Sequence, residues 1–264
     1  MTSCLKPWTM MLALALAVPA LAADSPQFRG PNRDGKFPET GLLQAWPEGG
    51  PPLAWRIDGL GEGYASVSVV GGTLYVPGML NGNEGYLHAL APDGTTRWKV
   101  RYGEETEDRQ APGSRSTPTV DGDRIYLMSG LGVLYCLSAE DGAPVWNVDV
   151  LKRFDGKNIQ WSIAESVLVD AQRVYCTPGG PDASVVALDK MTGDTIWTSK
   201  GLSDVSAYCS LDIFEHGGRR LLVTMTAQYV VGIDADTGEV LWTHEHPTRY
   251  DIHAVTPVYQ DGML

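Results

Sequence analysis

Apolar and polar positions alternate along the chain in short runs, each interrupted by a glycine- or aspartate-bearing turn. "VVGGTLYV" (69–76), "VDGDRIYL" (120–127) and "VDAQRVYC" (169–176) are apolar–turn–apolar segments that place a tyrosine at 75, 126 and 175. "FEHGGRRLLV" (214–223) has the same form with a slightly longer turn. Side chains of a strand alternate between its two faces, so runs of this kind predict paired antiparallel strands joined by tight turns. Beyond the leader, no stretch carries the three-to-four-residue spacing of an amphipathic helix.

A second pattern follows each of these hairpins. "ALAPDGTTRW" (89–98), "CLSAEDGAPVW" (136–146), "ALDKMTGDTIW" (187–197) and "GIDADTGEVLW" (232–242) each run from a small residue through a turn to a glycine. A tryptophan follows four residues after Gly94, Gly142, Gly193 and Gly238, namely Trp98, Trp146, Trp197 and Trp242. Trp55 in "PPLAWRIDG" matches the end of the same pattern. The indoles recur about every 47 residues, and four short strands per unit of this length predict a β-propeller blade. The glycine supplies the positive φ that the turn requires. The indole is the apolar plate expected to dock one blade on the next.

The stretch "DADTG" (234–238) also resembles a calcium loop, whose hard cation needs carboxylate oxygens. In the equivalent positions of the other units the acids shift or vanish, whereas glycine and tryptophan stay. A hairpin turn is therefore the expected reading.

The pattern of 187–197 resembles the tryptophan-docking repeat of the PQQ-like propeller superfamily. That group holds quinoprotein dehydrogenases and the non-enzymatic BamB-type outer-membrane assembly factors. "PQFRGPNRDG" (26–35), "STPTVDGDRIYL" (116–127) and "ESVLVDAQRVYCTPGGPDASVVALDKMTG" (165–193) are similar to exported bacterial PQQ-like repeat proteins. The resemblance implies an all-β propeller of four-stranded antiparallel blades over residues 53–264, with about four complete blades of a seven- or eight-bladed ring. Residues 253–264 then read as the opening of a fifth unit, and the chain as a C-terminally truncated piece of a longer one.

Charge and leader narrow the partners. Residues 1–22 have a basic start at Lys6, a short apolar run and an Ala-Leu-Ala site before Ala23, which predicts a cleaved signal peptide. Residues 23–52 form an N-terminal extension. The protein is expected to be exported, periplasmic or extracellular, without a membrane span, and a monomer. Its net charge is −12, which argues against a nucleic-acid or anionic membrane-surface partner. A protein partner or small ligand on the propeller face is expected instead.

In quinoprotein dehydrogenases, the resemblance implies, the quinone lies between a tryptophan and a disulfide of adjacent cysteines beside a calcium ion. PQQ and calcium are thus the cofactors the family suggests, but no Cys-Cys pair occurs, and no catalytic residue is assigned. Cys136 and Cys176 fall on core positions, and Cys209 has no base beside it. By repeat position the inner strands place Tyr64, Ser66, Arg115, Ser116, Trp161, Glu165, Tyr208, Ser210, His253 and Thr256 at the channel. Among these, Arg115, Trp161, Glu165 and Tyr208 are the ligand candidates, Arg115 as a carboxylate clamp and Glu165 as a base or cation ligand. The pair His244 and His246 is expected in an exposed connection, not at zinc. The acids Glu104, Glu105, Glu107 and Asp108 are expected in a solvated loop.

Overall fold

The computed structural model describes residues 23–264, so the expected signal peptide lies outside the described residues. Four separate antiparallel sheets of four strands follow one another along the chain. The first holds β1 (Ser68–Val70), β2 (Thr73–Leu80), β3 (Glu84–Leu90) and β4 (Thr96–Glu104). The second holds β5 (Thr119–Asp121), β6 (Arg124–Met128), β7 (Val133–Ser138) and β8 (Pro144–Asp149). The third holds β9 (Leu168–Asp170), β10 (Arg173–Cys176), β11 (Val186–Asp189) and β12 (Thr195–Thr198). The fourth holds β13 (Asp212–His216), β14 (Arg219–Met225), β15 (Tyr229–Asp234) and β16 (Val240–Glu245). Each sheet is a simple meander, which short hairpin turns allow without any crossover. This is the blade architecture that the repeat predicts.

Every third hairpin carries the same register shift, at Ala89/Leu90, Cys136/Leu137, Ala187/Leu188 and Gly232/Ile233. One extra residue there lets the turn glycine swing to positive φ, at 85°, 75°, 76° and 77° for Gly94, Gly142, Gly193 and Gly238. The glycine also makes room for the previous blade's indole. A Cβ on Gly94 would sit 3.0 Å from Trp55, on Gly142 2.9 Å from Trp98, on Gly193 2.9 Å from Trp146, and on Gly238 2.5 Å from Trp197.

Indole and tyrosine act together in these joints. The Trp146 Nε1 and Tyr126 hydroxyl both donate to the Lys190 carbonyl of the next blade, at 3.1 and 3.0 Å. Trp197 and Tyr175 do the same to the Ala235 carbonyl, at 3.2 and 3.3 Å. Tyr75 reaches the equivalent Ala139 carbonyl, and Trp55 donates to Pro92. Within each of the first three blades the two rings are tilted about 6 Å apart, as in Tyr175–Trp197 at 5.8 Å. Trp242, at 37 % exposure, lies over Gly232 of its own blade.

The carboxylate that opens "DADTG" is engaged in the turn. Asp234 Oδ1 accepts the amides of Asp236 and Thr237, each at 3.0 Å. Asp189 accepts those of Met191 and Thr192, and Ser138 accepts that of Glu140. Asp236 instead bridges blades, pairing at 2.9 Å with both Arg173 and Arg220. The cores fill the blade interfaces, one continuous cluster lying between the second and third blades and another between the third and fourth.

Two features escape the repeat pattern. A single turn of helix, α1 (Val150–Arg153), follows the second blade; Asp149 caps it by accepting the Lys152 amide at 2.9 Å. It is too short to show helical spacing in the sequence. The N-terminal extension, in turn, starts inside the propeller over residues 25–33, whereas its continuation is mostly exposed, Phe37, Leu42, Leu43 and Trp46 included. Ser25 pairs with Val69, Pro26 accepts the Val120 amide, and Arg33 enters between the third and fourth blades. Arg33 is 2 % exposed and donates to the carbonyls of Ser166 (2.8 Å), Val167 (3.3 Å) and Leu211 (2.9 Å) and to Gln27 Oε1 (3.2 Å). Phe28 of this strap forms part of the wall of the space between the inner strands.

Candidate functional site

The inner segment of each blade precedes its first strand and runs along the axis. A chain of hydroxyls stitches these segments together. The Ser66 amide donates to Thr117 Oγ1 at 3.1 Å, Thr117 to Ser166 Oγ at 2.9 Å, and Ser166 to Ser210 Oγ at 3.0 Å. These residues hold equivalent positions in successive blades, and by the same spacing Thr256 follows Ser210. Each amide that would otherwise lack a sheet partner is satisfied by its neighbour's short side chain.

Side chains two residues before the hydroxyls share the same face and shape a cavity of about 380 Å³. Its walls include Arg115, Trp161, Ala164, Tyr208, Ser210 and Thr256, and Phe28 of the N-terminal strap. Three of the four ligand candidates, Arg115, Trp161 and Tyr208, therefore meet in one place. The Trp161 amide donates to the Tyr208 hydroxyl at 3.0 Å, and the two rings lie 6.2 Å apart. Tyr250 meets the other side of Trp161 edge-on at 6.5 Å. Ser162 and Tyr208 hold left-handed backbone at φ 66° and 69°, a costly geometry for non-glycine residues that the surrounding contacts impose. Arg115 is anchored by Nε and one terminal nitrogen on the Ala111 carbonyl.

Glu165 is not on this wall. Its neighbour Ala164 faces the cavity, and strand alternation turns Glu165 back into the blade, where it is 1 % exposed. Oε2 accepts the Thr177 amide at 2.9 Å and hydroxyl at 2.7 Å, while Oε1 has no partner among the described residues. Burial lifts its carboxyl to about 7, against the pull of Thr177 and the Arg33 charge. Burial likewise lowers Arg33 to about 10, offset in part by Asp212 and Glu165. Ser116 shares the inward orientation and is buried. Tyr64 is exposed and does not line the cavity, and His253 is buried against the Ala227 carbonyl at 3.2 Å.

Glu105 also departs from expectation. It is buried, not solvated, with Oε1 receiving the Tyr102 hydroxyl at 2.5 Å and Oε2 the Gly130 amide at 2.8 Å. Desolvation raises its pKa. Cys136, Cys176 and Cys209 are separate buried thiols. Burial pushes Cys209 up to about 11 and Cys176 well above its ordinary range, so neither is a ready thiolate.

Calcium and PQQ, the groups implied by the family, can be tested against this donor set. Calcium needs several hard oxygen ligands, carboxylates foremost. No carboxylate lines the described cavity, and the one nearby in sequence, Glu165, faces away. The donor set of this cavity does not fit a calcium-activated quinone. Among the described residues, no helix is long and apolar enough to cross a membrane.

Comparison with known proteins places the chain. The family model described as outer membrane protein assembly factor BamB matches residues 83–259, more than half of the chain. An outer membrane protein assembly factor BamB from Kangiella koreensis is 29 % identical over 146 residues, covering 55 % of this chain and 33 % of the relative. A quinoprotein ethanol dehydrogenase from Pseudomonas aeruginosa is 26 % identical over 150 residues, covering 57 % of this chain and 21 % of the relative. Among solved structures, the quinohemoprotein alcohol dehydrogenase of Comamonas testosteroni has a TM-score of 0.60 at 17 % identity, over 84 % of this chain and 41 % of that one. The chain spans a third or less of the length of the curated relatives it matches. With four indole-docked blades and a family match across most of them, the chain belongs to the BamB-type family of PQQ-like propeller proteins.

Proposed function

We propose that this protein is an exported, non-catalytic binding scaffold that takes a protein partner on the face where the axial cavity opens. One observation carries the reading. The hydroxyls of Thr117, Ser166 and Ser210 are engaged in holding the blades together, and the cavity wall is aromatic and aliphatic, with one arginine and the short hydroxyl side chains Ser210 and Thr256. Such a wall can bind and orient, but it holds no carboxylate, thiolate or paired base to move a proton or electron. Trp, Tyr and Arg are the residues that most often anchor protein interfaces. The BamB relative is by name an assembly factor, which supports a partner-binding role, and the basic-then-apolar leader supports export. The protein acts as a monomer in this reading.

The second reading is a quinoprotein oxidoreductase of alcohols or sugars, favoured by the likeness to the ethanol dehydrogenase relative. Dye reduction after incubating the full chain with PQQ and calcium separates the two. The scaffold reading expects no reduction above the quinone-free control with ethanol or glucose. Turnover with either substrate overturns it.

A further inference from the structure

The axial cavity does not end at Tyr208. A second cavity of about 260 Å³ has Tyr208 in its wall together with Gln160, Val205 and Tyr250. A third, of about 300 Å³, shares Lys157 and Val205 with the second. The three hollows share wall residues and so lie side by side, and the outer two are lined by Lys157 together with Asp155, Asp204 and Asp251. A compact ligand fills one pocket, whereas an elongated row of linked hollows suits an extended chain whose successive side chains enter them.

We propose that this row of hollows binds an extended peptide segment of the partner in which an aromatic residue is followed by a carboxylate. The ring enters the axial cavity against the wall formed by Trp161, Tyr208 and Phe28, and the carboxylate meets Arg115. The proposal rests on the scaffold reading and names the partner chemistry of that same site.

Three observations select this occupant. The wall is preorganised, because the Trp161–Tyr208 hydrogen bond and the strained backbone at Ser162 and Tyr208 fix the rings before any partner arrives. Arg115 is the only charged side chain lining the axial cavity. Two of its nitrogens are held by Ala111, and its other terminal nitrogen has no acceptor among the described residues. A cation fixed in an aromatic hollow is locally complementary to a carboxylate, against the long-range repulsion of a chain of net charge −12, and disfavours a lysine or arginine side chain at that point.

The test is selection of random twelve-residue linear peptides displayed on phage against the purified chain, followed by fluorescence anisotropy with the enriched peptide. The expected consensus places Phe, Tyr or Trp immediately before Asp or Glu. Arg115→Gln should weaken the selected peptide at least tenfold, and Asp→Asn in the peptide should do the same. Combining the two should add little, because both remove one contact. Trp161→Leu should also weaken binding while far-ultraviolet circular dichroism stays that of the parent. A basic consensus, an acidic one insensitive to Arg115→Gln, or no enrichment would overturn the proposal. Absence of enrichment with no dye reduction would remove the peptide site and leave the scaffold; dye reduction would remove the scaffold itself.

Discussion

The turn glycine is argued above to do two things at once, and a matched pair of substitutions separates them. Gly238 and Gly218 both hold φ of 77°. A Cβ on Gly218 meets nothing within 4 Å, whereas on Gly238 it would sit 2.5 Å from Trp197 Cε3 and 2.7 Å from Cδ2. Alanine at either site therefore imposes the same left-handed backbone cost, roughly 1–2 kcal/mol. At Gly238 it must also displace an indole that is 8 % exposed and bonded to Ala235, an overpacking cost of about 1–3 kcal/mol more. Urea denaturation followed by tryptophan fluorescence should show Gly238→Ala losing roughly 2–5 kcal/mol and Gly218→Ala only the backbone part, roughly 1–2 kcal/mol. In a Trp197→Ala background the Gly238→Ala cost should fall to that of Gly218→Ala, since only the backbone term is left. Equal costs in the parent chain would refute indole docking as the reason for the glycine.

Other outcomes follow from the buried charges and the turns. Glu165 has its carboxyl raised from 4.5 to about 7 by burial, so between those values the folded chain binds more protons than the unfolded one. Its contribution to stability is thus present at low pH and lost as pH rises toward 7, by up to roughly 3 kcal/mol, with other groups superimposed. Glu165→Gln should flatten that slope in denaturation curves taken from pH 5 to 8. Arg33→Met should cost about 3–5 kcal/mol in the same assay, because three blade carbonyls lose their donor, and Arg33→Lys should not restore it, since one ammonium cannot replace the forked contacts. Asp234→Ala should lower stability by about 1 kcal/mol through loss of the turn amides' acceptor. Excess calcium or a chelator should leave the melting temperature unchanged, and a calcium-dependent rise would return "DADTG" to the metal loops.

The fold is written in the sequence wherever local geometry demands one residue. Only glycine tolerates both positive φ and an indole at van der Waals distance, so Gly94, Gly142, Gly193 and Gly238 stand in register with their tryptophans. The convergence of Tyr126 and Tyr175 on the same carbonyls as their indoles is less apparent. Its signal was the tyrosine that closes the first hairpin of three units.

The inner strands were harder to read, because a shift of one residue moves a side chain from wall to core. Arg115, Tyr208 and Ser210 were placed on the wall, but Glu165 and Ser116 were placed one position off. The correct ring runs through Thr117 and Ser166. Left-handed residues at Ser162 and Tyr208 break the alternation just before the strands begin, and nothing in their identity announces it. Arg33 shows the opposite difficulty. Its partners are three carbonyls more than a hundred residues away, so no spacing in the chain marks it as buried. Glu105 looks solvated among its acidic neighbours because Gly130 and Tyr102, which hold it, come from the next blade and the preceding strand.

The account turns on whether the axial space of this chain is a cofactor site or a docking surface. Equilibrium dialysis of the purified full chain against micromolar PQQ, with calcium present, measures this directly. The scaffold account predicts no saturable binding, because the described cavity wall offers one guanidinium and no carboxylate. Stoichiometric uptake of the quinone that depends on calcium would contradict it.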